Sequence, residues 1–339
     1  MDYTVYIGTY TNAGGKGVYR ADLDAAGKLA LVDAAESVSP SYVIFSADRR
    51  FVYAANEARE VDGVPGGALT AFELRSDGSL KKLVTRPTGG SSPCHILEHF
   101  GYLYVANYGD GSITVYPLQK GVPGEAEFLH RHEGSGPDVR RQEGPHAHCV
   151  MAVPGTDAFC AIDLGIDQAR FYRKDDKALT LVQALSLPGG AGPRHVVFSA
   201  DGRFGWIVTE LSNEVFAIRH DREWSVIGAY STLPQGFTGL SNCAAIRLVN
   251  DGGVVAASNR GHDSVAVYDV DAATGLLKMK GIYPVGGKTP RDINFSPDGK
   301  WLLSANQDSD IVTVLSTENG YALVEGASLA VSRPTCILM

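Results

Sequence analysis

Two histidines, three arginines and a glutamate stand where acid–base and anion chemistry could be done. His146 and His148 alternate in GPHAHCV, so on a strand both point to one face. Imidazole titrates near neutral pH and suits a general base. The same pair could hold a metal together with Asp163 or Glu210. Arg194 in GPRH, Arg260 in SNRG and Arg291 in TPRD would need carboxylate, phosphate or carbonyl partners if buried. In an acidic chain such a set favours an anionic ligand. A ring of salt bridges to Glu57, Glu210 or Asp292 is the competing structural reading. No Gly-x-Ser-x-Gly elbow, Walker loop or dinucleotide fingerprint is present, so serine-hydrolase and nucleotide chemistry lack their usual signals.

The elements that must position these residues are hairpins. GPRHVVFSADGRFGWIVTE, from Gly192 to Glu210, reads as a strand, a tight turn and a second strand. Polar residues mark the open end. The pattern recurs from Ser39, Ser92, Gly144, Ser241 and Thr289. A further unit is divided between the chain ends: RPTCILM supplies a first strand, and YTVYIGTYTN with KGVYRADLD supplies the next two. A period of roughly 50 residues points to a propeller or solenoid. Apolar runs rich in Val, Ile, Tyr and Ala favour strand throughout.

The expected fold is all-β: a seven-bladed β-propeller of four-stranded antiparallel blades, in one domain over residues 1–339, with the N- and C-terminal strands closing the ring in one blade. The Gly-His and Trp-Asp marks of WD40 repeats are missing.

Alignment on the turns puts one residue per blade at the channel mouth: Ser41, Cys94, His148, Arg194, Ala244, Arg291 and Thr335. In the third blade, counting from Pro145 gives His146 and counting back from the Val-Pro-Gly turn gives His148, so both remain candidates. His95, His195 and Asp292 come next along their strands. The second strands end on Asn56, Asn107, Asp163, Thr209, Asn259 and Asn306, positions where Asn and Asp side chains also serve turns. Glu57, Glu210 and Arg260 follow directly.

Bulk properties narrow the partners. The formal net charge of -8, with no Lys/Arg block, argues against nucleic acid. The start MDYTVYIGTYTN lacks the basic, then continuously apolar, pattern of a signal peptide. No run is long enough for a membrane span. A soluble cytoplasmic protein is expected, monomeric or weakly dimeric. The five cysteines are far apart and read as buried small hydrophobes.

YIGTYT, SP-x-H-I, GPHAH with DLGID, GPRH-x-x-F-S-x-DGR ending in Glu210, SNRG-x-DSVAVY and TPRDINFSPDGKWLL resemble the lactonase family of seven-bladed propellers. That family includes cycloisomerase-2 type 6-phosphogluconolactonases and carboxy-cis,cis-muconate lactonizing enzymes. The resemblance covers essentially the whole chain. It implies chemistry by a histidine, an arginine and a glutamate, here His148 or His146, Arg194 and Glu210, with no cofactor and no metal. Thr209 precedes Glu210 where close relatives carry asparagine.

The expected function is hydrolysis of a small anionic sugar lactone, with 6-phosphogluconolactone foremost. Arg291, Arg260, His195, His95, Asp163, Asn259 and Asn306 are the expected substrate-binding set. A muconate-type cycloisomerase and a non-enzymatic binding scaffold are the alternatives.

Overall fold

The computed structural model describes residues 2–61, 63–249 and 251–339. Six blades follow the chain in order, their innermost strands being Pro40–Phe45, Pro93–His99, Ala147–Ala152, Pro193–Phe198, Asn242–Val249 and Pro290–Phe295. Each pairs outward, strand by strand and antiparallel, with the segments that follow it. The seventh blade takes its innermost strand, Pro334–Leu338, from the C-terminus and its other three, Tyr3–Thr9, Gly17–Leu23 and Leu29–Glu36, from the N-terminus. Each innermost strand packs on the next, and the last packs on the first. The ring is therefore closed by hydrogen bonds between the chain ends.

The sequence reason lies in the second strands. Phe51–Asn56 and Phe204–Thr209 are buried at every residue, because a blade has a neighbour on both faces and needs apolar side chains on both. Outer strands such as Leu80–Pro87 are largely exposed. The apolar material gathers in seven separate clusters, one in each gap between adjacent blades. With the apolar clusters in those gaps, the axis is left to polar side chains.

The turns have a common chemistry. In Ser-x-Asp-Gly-Arg/Lys the serine hydroxyl donates to the aspartate, as in Ser199–Asp201 at 2.7 Å and Ser296–Asp298 at 2.6 Å. The glycine takes a positive φ, +69° at Gly202. Blade one has Arg49 at that position with φ 53°, tolerated with its guanidinium over the Phe45 ring at 4.1 Å.

Before each anchoring proline the chain also turns left-handed, at Ser39, Ser92, Gly192, Thr289 and Arg333. The freed carbonyl accepts a hydrogen bond from the residue just past the second strand: Glu57, Tyr108, Glu210, Gln307 and Tyr10 respectively. His146 does the same for Leu164 in blade three. This repeated clasp fixes the open end of six of the hairpins, and in blade five the ladder itself runs on to Asn242 and Arg260.

Candidate active site

At that end every blade carries a β-bulge in its innermost strand. Pro40 pairs with Asn56 and Tyr42 with Ala55, leaving Ser41 unmatched. The same slip leaves Cys94, His148, Arg194, Arg291 and Thr335 unmatched in their blades. In blade five Ala244 and Ala245 together oppose one residue. A bulge re-aims a side chain. Six of these residues, Ser41, Cys94, His148, Arg194, Arg291 and Thr335, are thereby turned to one small cavity on the axis, which Tyr42, Glu57, His195 and Asp292 also line. The register counted back from the third-blade turn is the observed one: Ala147 occupies the proline position and His148 the bulge.

The clasped residues form a second ring. Tyr10, Glu57, Tyr108 and Glu210 contribute to it, joined by Arg260 at the end of its second strand, and their side chains interlock with the first. Glu210 is the hub: Arg194 Nε donates to its Oε2 at 3.0 Å, Arg260 Nη2 lies 2.7 Å from the same oxygen, and Arg141 Nη2 donates to Oε1 at 2.5 Å. Across the cup Arg291 Nη2 donates to the Tyr10 hydroxyl at 2.7 Å, which donates to Glu57 Oε2 at 2.7 Å.

The electrostatics follow from burial among cations. Burial alone would raise the Glu210 carboxyl, but the cations Arg260, Arg194 and Arg141 outweigh it and hold it far below its usual value. Burial and the Arg194 charge hold His148 well below 6.5, so its imidazole is neutral. Burial, then Arg260, lowers Arg194 to about 10, with Glu210 opposing. It remains a cation at neutral pH.

Arg194 Nη1 also lies 3.1 Å from His195 Nε2. A guanidinium has no acceptor, so Nε2 accepts and the proton of neutral His195 sits on Nδ1. That N–H, Ser41 Oγ and Thr335 Oγ1 are buried without a protein partner. Groups of this kind are normally satisfied by water or ligand.

Not every expected residue joins the cup. His95 lies deeper, stacked on Tyr42 at 4.1 Å, and burial lowers it to about 3. His146 stacks on Tyr108, and its Nδ1 meets the Tyr108 carbonyl at 2.8 Å. Asp163 accepts from the backbone N–H groups of His146 at 2.7 Å and Gly165 at 2.9 Å, and from His132 Nδ1 at 2.7 Å. Asn306 bonds within its own blade, to Thr313 and Ser304, and Asn259 bonds to Ser264 of its own blade and to the Thr232 carbonyl just past the outer strand of blade four. These side chains brace strands, while His148, Arg194, Arg260, Arg291 and Glu210 converge. Asp292 is paired with Arg247 at 2.6 Å, not with the cup arginines.

Three contributors escaped the sequence reading. Tyr10 and Tyr108 directly follow Thr9 and Asn107, the same position as Glu57 and Glu210, so the repeat itself could have found them. Arg141 lies outside the repeat, in the segment joining blades two and three, and nothing in its spacing marks it. Among the described residues no group of three or more His, Cys, Asp or Glu is placed to hold a metal ion. No helix there is long and apolar enough to cross a membrane.

The geometry has known counterparts. A 6-phosphogluconolactonase of Bacillus subtilis (strain 168) is 33% identical over 347 residues, covering 99% of this chain and 97% of that one. The solved structure of the periplasmic gluconolactonase of Pseudomonas aeruginosa matches with a TM-score of 0.92 at 30% identity, covering 99% of this chain and 98% of that chain. A Lactobacillus plantarum protein matches with a TM-score of 0.89 at 27% identity, covering 99% of both. The family model described as lactonase, 7-bladed beta-propeller, matches residues 4–339. With its seven bulged inner strands, this chain belongs to the lactonase family of seven-bladed β-propellers.

Proposed function

We propose that this protein hydrolyses a sugar lactone, with 6-phosphoglucono-1,5-lactone as substrate. The observation that carries the reading is a neutral buried imidazole, His148, lining one cavity with Arg194, whose guanidinium is bound to a carboxylate, Glu210, that gathers two more arginines. The likeness to proteins named 6-phosphogluconolactonase and gluconolactonase supports it.

Hydrolysis of the ring ester adds water's hydroxyl to the carbonyl carbon and its proton to the ring oxygen. His148 takes the proton from the attacking water, and the charge developing on the carbonyl oxygen raises the imidazole's proton affinity as it does so. Arg194 faces that oxyanion. The tetrahedral intermediate collapses by breaking the bond to the ring oxygen, which takes the proton back from the imidazolium. Glu210 is a weak base, since its carboxyl is held ionised; its part is to aim the arginines. Arg260 and Arg291 hold the phosphate. The same reading makes the protein a cytoplasmic enzyme.

Purified protein without added metal should accelerate loss of the lactone above its spontaneous rate. Arg194→Ala should lower kcat by about 100- to 1000-fold, the usual cost of losing an oxyanion donor, and His148→Asn should act similarly. Wild-type protein that leaves the spontaneous rate unchanged would overturn the proposal.

A further inference from the structure

Arg141 is the one cup residue not delivered by a blade. It rides on the strap between Arg131 and Ala147, which crosses from blade two to blade three. The strap is held by Asp163 at both ends and by Gln142 between them. His132 Nδ1 bonds to Asp163 at 2.7 Å. Next to Arg141 the fully buried Gln142 donates to the Leu164 carbonyl and to Asp167, each at 2.8 Å, while its own carbonyl accepts from Gly136. A buried amide with its donors matched is a firm anchor, and it projects the neighbouring guanidinium over Glu210.

The four arginines differ in how far they are committed. Arg194 is bound to Glu210, the Ala244 carbonyl and His195, with its side chain 3% exposed. Arg291 is held by Tyr10 and Glu57. Arg260 bonds to the Cys243 carbonyl as well as Glu210, yet its Nε is buried with no partner. Arg141 has Glu210 and a longer contact of 3.4 Å to the Tyr108 hydroxyl, and its side chain is 36% exposed. One carboxylate thus faces three cations, a local positive excess in a chain of net charge -8. Arg141 and Arg260 reach the two oxygens of the same carboxylate, so a second anion brought there meets both.

We infer that Arg141 is the specificity-determining residue that reads the phosphate of the substrate, drawing a phosphorylated sugar acid or lactone in preference to its unphosphorylated counterpart. Its fork can pass from Glu210 to a phosphate while Arg194 stays in place. The inference rests on the lactone reading for its choice of ligand.

The test is calorimetric titration of wild type and Arg141→Ala with the two unreactive products, 6-phosphogluconate and gluconate. Wild type should prefer 6-phosphogluconate, and the substitution should cut the preference ratio by about 10-fold or more, the usual cost of losing a charge-assisted hydrogen bond. A merely structural arginine would weaken both ligands together and leave the ratio standing. Absence of a wild-type preference, or a fall in the ratio smaller than about fivefold, overturns the inference. The hydrolysis assay answers separately: a collapsed ratio in a protein without lactonase activity would sink the reaction and keep the phosphate reader.

Discussion

Burial keeps His148 neutral and works against the charge on Glu210, while the guanidinium groups beside them repel a proton from both. Burial lowers His95 to about 3, and burial with Arg194 holds His148 and His195 well below 6.5. Unfolded, these rings would titrate near 6.5. Below that pH the unfolded chain binds more protons than the folded one. The stability conferred by neutral burial is therefore complete above about 6.5 and declines as pH falls toward the folded values, by up to about 1.4 kcal/mol per pH unit for each ring. Glu210 acts in the same direction. Its folded pKa is depressed, so its contribution is lost as pH falls below 4.5, the carboxyl's usual value. Urea midpoints should be level between pH 7 and 8 and lower at pH 5. Equal midpoints at pH 7 and 5 would contradict this account of the cup.

The bulge and the strap act at the scale of elements. A regular ladder would alternate side chains between the two faces of a blade, both of which are occupied by neighbours. The bulge offers a third direction, and it is what turns Arg194 and His148 to the axis. Asp163 illustrates the second device. It joins the start of the strap at His132 to its end at His146. Asp163→Ala would strand buried N–H groups of His146, Gly165 and His132, and should cost about 3 kcal/mol in urea unfolding. A loss under about 1 kcal/mol would show that the strap ends are held by something else. The aspartate was legible as the polar end of a second strand, but its task was not, because strands end on Asn or Asp for structural as well as catalytic reasons.

Across the whole molecule stability is divided among seven interblade wedges, so the ring is only as sound as its closure. Cys336 and Ile337 of the last strand enter the wedges on either side of blade seven, and Asp292 of blade six accepts from the Ile337 N–H at 2.8 Å. Truncation before Pro334 would remove the innermost strand of that blade and bare an edge on Tyr3–Thr9. The truncated chain should lose its cooperative thermal transition and partition to the insoluble fraction. A soluble product melting within a few degrees of the full chain would mean that closure by the ends contributes little.

Read alone, the sequence determined the blades, their number, the exchange of strands between the ends and the family, because each depends on a pattern that repeats locally about every 50 residues. It also marked Arg194, Arg291 and Glu210, whose polar side chains interrupt that pattern. The tertiary structure alone decided that His148 and not His146 takes the bulge, that Asn259 and Asn306 brace strands instead of facing the cup, and that Arg141 joins Glu210. Contacts such as Arg291 with Tyr10 link residues at opposite ends of the chain. Only closure of the ring brings them together, and no local periodicity encodes which side chain will meet which across an axis.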